Sequence, residues 1–182
     1  MSEITVASRY AKSLIDLAEE QNVLEAIKLD MLFFVKTLKE NTQLQAVLRN
    51  PIISHDKKLK VLQAIFTGKV SPVTDSFFKI MVDKSRAEIL YPTATEFISQ
   101  YNIKKNIVNA RVVSAAHLSD ANRQQIISEV NAITKGEVIL TEKVDASLIG
   151  GFVLTVGDRQ IDTSVANSLQ KLKKDFAQKV IQ

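Results

Sequence analysis

Apolar and polar positions follow two different periods along the chain, and the change falls near residue 106. Through the first hundred residues apolar side chains recur every three or four positions, the spacing that gathers them on one face of an α-helix. Val6, Tyr10, Leu14 and Leu17 make one such row, beside a small-residue row of Ala7, Ala11 and Ala18. A second helix is predicted from Val23 to Glu40, with Leu24, Ile27, Met31, Phe34 and Leu38 on one face. A short third carries Leu44, Val47 and Leu48 and stops at Asn50-Pro51, because the residue before a proline avoids the helical region. Ser54 caps a fourth helix carrying Leu59, Leu62 and Phe66, which Gly68 ends. Ser71-Pro72 opens a fifth, and a sixth follows Tyr91-Pro92 with Phe97 and Tyr101 one turn apart.

Beyond Asn106 the period shortens to two. Val108, Ala110 and Val112 alternate as in a strand, as do Val138, Leu140 and Glu142, and a third strand is read over Gly151 to Val156. Ser119 caps an intervening helix with Ile126, Val130 and Ile133 on one face. Gly157-Asp158 reads as a hairpin turn. The closing helix has a stripe of Val165, Leu169, Leu172, Phe176 and Val180, expected to supply one side of a small core. The predicted fold is mainly α: a six-helix bundle over residues 1–105, then a small α+β domain over residues 106–182.

Charge narrows the function. Residues 1–105 carry 15 basic and 12 acidic side chains and residues 106–182 carry 9 and 8, so neither half has a strong field despite a net charge of +4. A nucleic-acid-binding adaptor, the alternative that a basic chain suggests, would concentrate its excess on one stripe. Lys171, Lys173, Lys174 and Lys179 sit largely off the apolar stripe of the last helix with Asp175 among them, as a solvated face. The absence of cysteine removes disulfides and thiolate chemistry. No stretch approaches the roughly 20 apolar residues that cross a bilayer, so a soluble chain is expected.

Catalytic chemistry finds no footing. The two histidines, His55 and His117, lack partners at metal-ligand spacing. Gly150-Gly151 lacks the lysine of a phosphate loop and the third glycine of a dinucleotide fingerprint. Asp158 and Asp162 suit a turn and a helix start better than a general acid–base pair. No cofactor is expected. The unusual feature is the fifth helix, where Val73, Phe77, Phe78, Ile80, Met81 and Val82 cover about 200° of arc, twice an ordinary stripe. Either this helix is central in its bundle, or part of the arc faces a partner.

Several segments, in order, resemble one family. They are Ser8-Arg9-Tyr10-Ala11-Lys12-Ser13-Leu14, Asn50-Pro51 with the lysine-bearing helix after it, and Ser114-Ala115-Ala116-His117-Leu118-Ser119. The most specific run is Val144-Asp145-Ala146-Ser147-Leu148-Ile149-Gly150-Gly151-Phe152, followed by Val156-Gly157-Asp158 and Ile161-Asp162-Thr163-Ser164. Together they resemble the δ subunit family of F-type ATP synthases, which includes the mitochondrial oligomycin sensitivity-conferring protein. Ser13 departs from the family's frequent alanine, and Lys84-Ser85-Arg86 stands where glycine often precedes the arginine.

The resemblance implies a non-catalytic subunit of the stator stalk, one copy per complex. The N-terminal domain would take the N-terminal segments of the α subunits in a groove between helices one and five. Carried over, that groove is Ala7, Tyr10, Ala11 and Leu14 with Ser76, Phe77 and Ile80. The C-terminal domain, which carries the motif residues Asp145, Gly150, Gly151, Gly157, Asp158, Asp162 and Ser164, would meet the C-terminal ends of the b subunits. No nucleic acid is implied. Membrane contact would come only through partners, on the cytoplasmic side of a bacterial inner membrane.

Overall fold

The computed structural model describes residues 3–134 and 136–179. Its chain divides into two compact units, with the division after Asn102 in the last turns of a helix. The described residues are mainly helical, with one small sheet in the second unit.

The first unit is built from α1 (Glu3–Glu20), α2 (Leu24–Glu40), α3 (Thr42–Arg49), α4 (His55–Phe66), α5 (Pro72–Asp83) and α6 (Leu90–Lys104). Side chains hold some of its helix ends, although Ser54, expected to cap α4, makes no side-chain cap hydrogen bond. The Asn41 carboxamide oxygen accepts from the Leu44 N–H at 3.2 Å, and the Ser71 hydroxyl accepts from the Thr74 N–H at 3.3 Å, with Pro72 in the first turn of α5. Lys58, only 6% exposed, donates from Nζ to the Leu48 carbonyl at 2.8 Å, satisfying one of the last open carbonyls of α3. The α6 helix begins at Leu90 rather than after Pro92, following a 3-10 turn at Ala87–Ile89. Pro92 is tolerated because N–H groups in a first turn have no intrahelical acceptor to lose.

Phe34, Phe66 and Phe78 meet at the centre of this unit with ring centroids 4.7–5.8 Å apart and tilted to one another, the arrangement that aromatic quadrupoles favour. Ile27, Met31, Leu38, Met81 and Phe97 are fully buried in the same unit.

The second unit contains β1 (Ile107–Ser114), α7 (Asp120–Thr134), β2 (Glu137–Val144), β3 (Phe152–Val156), β4 (Arg159–Asp162) and α8 (Val165–Lys179). The strand order is β2-β1-β3-β4. β1 and β2 pair in parallel, Ala110 opposite Leu140, and α7 supplies the crossover that parallel pairing requires. The other pairings are antiparallel, with Val112 opposite Leu154 and Leu154 opposite Ile161. Period-2 alternation puts Ala110, Val112 and Leu154 on one face, where they close a core with Ile126 and Val130 of α7.

One expectation is corrected here. The α8 stripe does not enter this core: Val165, Leu169, Leu172 and Phe176 are 41%, 53%, 52% and 62% exposed. The core is already closed by α7, and α8 packs instead near the 3-10 turn Ala146–Leu148. Val180 lies outside the described residues.

Candidate functional site

In the first unit, two shallow depressions lie along α1, one shared with the start of α5 and one with the turn beyond its end. At one end Leu17 and Gln21 face Pro72, Val73, Ser76, Phe77 and Ile80 around a depression of about 270 Å³. At the other, Val6, Arg9, Tyr10, Ser13 and Arg86 line one of about 220 Å³. Val6 and Leu17, which line the two depressions, stand about 16 Å apart along α1, or roughly three helical turns.

The wide arc of α5 is thereby divided. Phe78, Met81 and Val82 are buried, whereas Val73 and Phe77 are half-buried and Ile80 is 52% exposed toward the recess. On α1 the residues carried over for the groove fall on two rows. Ala7, Ala11 and Leu14 point into the unit with 0%, 0% and 1% exposure, so their side chains do not line the recess. Tyr10 does line it, as do Ser76, Phe77 and Ile80. Leu17, Val6, Arg9, Ser13, Gln21 and Arg86, which also line these depressions, are not among the groove residues expected from sequence. Val6, Tyr10 and Leu17 continue one row next to the buried alanines, so the signal lay in reading the small row as the inward one.

Beyond the end of α5 the backbone makes a tight reversal. The Lys84, Ser85 and Arg86 N–H groups donate to the Ile80, Val82 and Met81 carbonyls at 3.0, 2.9 and 2.8 Å. Ser85 takes φ +60°, the left-handed conformation that such helix ends require and that glycine more often supplies. The turn carries the Arg86 guanidinium over the Tyr10 ring, 5.7 Å from its centroid.

In the second unit the motif residues hold the backbone. Asp145 Oδ1 accepts from the Ser147 N–H and hydroxyl at 3.0 and 2.6 Å, and Asp162 Oδ1 does the same for Ser164 at 2.9 and 2.6 Å. In each case the serine hydroxyl is the main influence that holds the carboxyl below its usual range. Ser164 then caps α8, its hydroxyl accepting from the Asn167 N–H at 3.2 Å. Gly151 has φ +73°, and a Cβ there would collide with the Thr163 carbonyl oxygen. Gly150 accepts the Val165 N–H at 2.9 Å through its carbonyl. Gly157 turns the β3–β4 hairpin at φ +56°, with Asp158 exposed beside it. These residues weld the start of α8 to the edge of β3.

Glu142, on the α7 side of β2, accepts from the Leu118 N–H at 2.8 Å and from Arg123 at 3.0 Å, with His117 3.7 Å away. The Leu118 bond is the largest cause of its lowered pKa. Beside α7 lies an apolar cleft of about 530 Å³, lined by Val108, Ile133, Leu154, Val156 and Ile161, with Asp158 and Arg159 also in its wall. His55 and His117 are both exposed, and among the described residues no three His, Asp or Glu side chains gather as a metal site. No described helix is long and apolar enough to cross a membrane.

Residues 6–176 match the profile of the family described as ATP synthase delta (OSCP) subunit. The chain is similar to ATP synthase subunit delta of Cytophaga hutchinsonii, 40% identical over 181 residues that cover 100% of this chain and 99% of the relative. It is 32% identical to ATP synthase subunit delta of Flavobacterium johnsoniae, over 97% of this chain and 99% of the relative. Among solved structures, a chain of the Toxoplasma gondii mitochondrial ATP synthase hexamer superposes with a TM-score of 0.71 at 25% identity, covering 94% of this chain and 97% of that one.

Proposed function

We propose, since the chain belongs to the ATP synthase delta (OSCP) subunit family and is a non-catalytic component of the stator stalk, that its two units are the two ends of a tether. The first, acting as a six-helix bundle, holds the N-terminal segments of the α subunits in the α1–α5 recess. The second holds the C-terminal ends of the b subunits. One copy serves each complex and associates peripherally with a bacterial inner membrane on its cytoplasmic face. Holding the head against rotor torque lets proton flow drive ATP synthesis.

The observation that carries this reading is Ile80, a large apolar side chain 52% exposed in a depression that it lines with Leu17, Val73 and Phe77 among others. Two apolar-lined depressions spaced along α1 suit an amphipathic helix with anchors at i, i+3 or i+4, and i+7. The cleft beside α7 and the exposed α8 stripe offer a second apolar surface, and they support assigning the stalk contact to the second unit. Titration calorimetry of the full chain against the α-subunit N-terminal peptide tests the first assignment. Ile80→Asp weakens binding at least tenfold while the helical signal is retained; unchanged affinity in a folded variant overturns it.

A further inference from the structure

Ile149, in the connection between β2 and β3, has φ +67° and ψ −41°, and the Gly150 N–H donates across it to the Leu148 carbonyl at 2.7 Å. A three-residue turn closed in this sense is the rare and strained form. Positive φ drives the Cβ of an L residue against its own backbone, which lowers the population of that conformation roughly tenfold, and a β-branched side chain has no easy way to relieve it. Burial does not offset the strain, because Ile149 is 68% exposed.

The flanking backbone imposes this conformation. Before the turn, the Leu148 and Ile149 N–H groups donate to the Asp145 and Ala146 carbonyls at 3.3 and 3.1 Å, in a segment already held by the Asp145 carboxylate. After it, the Gly150 carbonyl accepts the Val165 N–H, and Gly151 lies too close to the Thr163 carbonyl oxygen to carry a Cβ. The strained residue therefore stands between the end of β2 and the first residue of α8. We propose that this turn is a strained clasp on α8, holding the start of the helix against β3 through an unfavourable Ile149 backbone, so that α8 is released locally while the sheet stays folded.

Two observations carry it. The strain exists only while the turn is closed, so it raises the open population by the same factor of roughly ten. The second is how little else holds α8. Val165, Leu169, Leu172 and Phe176 are exposed, and among the described residues the core of this unit is made by α7 and the strands. The helix packs instead near the 3-10 turn Ala146–Leu148, which leads directly into Ile149. Opening the clasp thus loosens the Val165 hydrogen bond and that packing together. A detached helix of 15 residues is marginal in water, so release appears as fraying along its length. The apolar stripe can then be re-aimed without unfolding β1–β4, whatever docks on it.

Amide hydrogen exchange on the full chain tests this, with Ile149→Gly and Ile149→Ala as variants. Alanine keeps the Cβ and its strain, whereas glycine removes both. At a relaxed position glycine is the less stable of the two, because it loses more freedom on folding, so the order of the variants is diagnostic. In the unaltered chain the amides of α8, Val165 included, are at least tenfold less protected than those of β1 and β3. Ile149→Gly slows exchange in α8 roughly threefold or more relative to Ile149→Ala, and has the higher thermal midpoint of the two. Equal protection in the two variants, or greater protection in Ile149→Ala, shows a relaxed turn and overturns the inference. Exchange of α8 in step with β1 and β3 in the unaltered chain shows that the helix is not released on its own, and overturns it as well.

Discussion

The Thr74 hydroxyl donates a 2.7 Å hydrogen bond to Oδ2 of Asp30, a residue 44 positions earlier on another helix. The same oxygen accepts the Ser71 N–H at 2.8 Å. A carboxylate of α2 thus completes the N-terminal cap of α5 and fixes the helix that forms one wall of the recess. Asp30→Ala leaves the Ser71 N–H without its acceptor and the fully buried Thr74 hydroxyl with only the Ser71 hydroxyl as partner, and costs the first unit about 1–3 kcal/mol. Asp30→Asn keeps an acceptor and costs about 1 kcal/mol. Urea denaturation followed by hydrogen exchange at the α5 amides measures both, and an unchanged midpoint for the alanine variant contradicts the role assigned to Asp30.

Gly151 and Gly157 both have positive φ, but only Gly151 lacks space for a Cβ. Gly157→Ala therefore costs about 1–2 kcal/mol of backbone strain. Gly151→Ala adds a collision with the Thr163 carbonyl and destabilises the second unit by several kcal/mol more. Calorimetric melting of the two full-length variants gives the order; equal losses contradict the close approach of β3 to the start of α8.

Asp145, Asp162 and Glu142 all have lowered pKa values, and all lie in the second unit. A carboxyl whose folded pKa is depressed contributes stability that is present above its unfolded value, about 4, and is lost as pH falls through the folded value. The second unit therefore loses protection as pH falls below about 4. Asp162→Asn, which cannot titrate, reduces that pH dependence. Amide exchange of β1–β4 across this range is the measurement, and the same slope for variant and unaltered chain refutes the assignment.

The helices and strands were legible because period and caps are local properties. Ser71-Pro72 announced α5, and Val108, Ala110 and Val112 announced β1, in residues that need no distant partner to be read. The start of α6 was not, because Pro92 is compatible with either the first turn or the residue before it. What local pattern cannot say is which neighbour covers an apolar face. Leu14 and Tyr10 both read as apolar positions of α1, yet Leu14 is buried and Tyr10 lines the surface, a difference set by where α1 meets the rest of the unit. The α8 stripe is the same problem with the opposite outcome, a core-like pattern that is exposed. The contact of Arg86 with Tyr10 was not legible, because a turn brings together residues 76 positions apart.

The exposed stripe of α8 makes a prediction of its own. Leu169, at 53% exposure, loses little packing on substitution, so Leu169→Glu shifts stability by no more than about 0.5 kcal/mol. It nevertheless reduces capture of a soluble b-subunit fragment. Val130→Asp, by contrast, buries a charge in the core of the second unit and unfolds it. Thermal melting paired with b-fragment pull-down separates the two effects; a strong loss of stability in Leu169→Glu would return the stripe to the core.

The central claim is that one chain engages two partners at once through separate units. Analytical ultracentrifugation of the full chain with the α-subunit N-terminal peptide and a soluble b fragment tests it most directly. The account predicts a three-component complex, from which Ile80→Asp removes only the α peptide and Leu169→Glu removes only the b fragment. Mutually exclusive binding, or loss of both partners from either substitution in a folded chain, would contradict it.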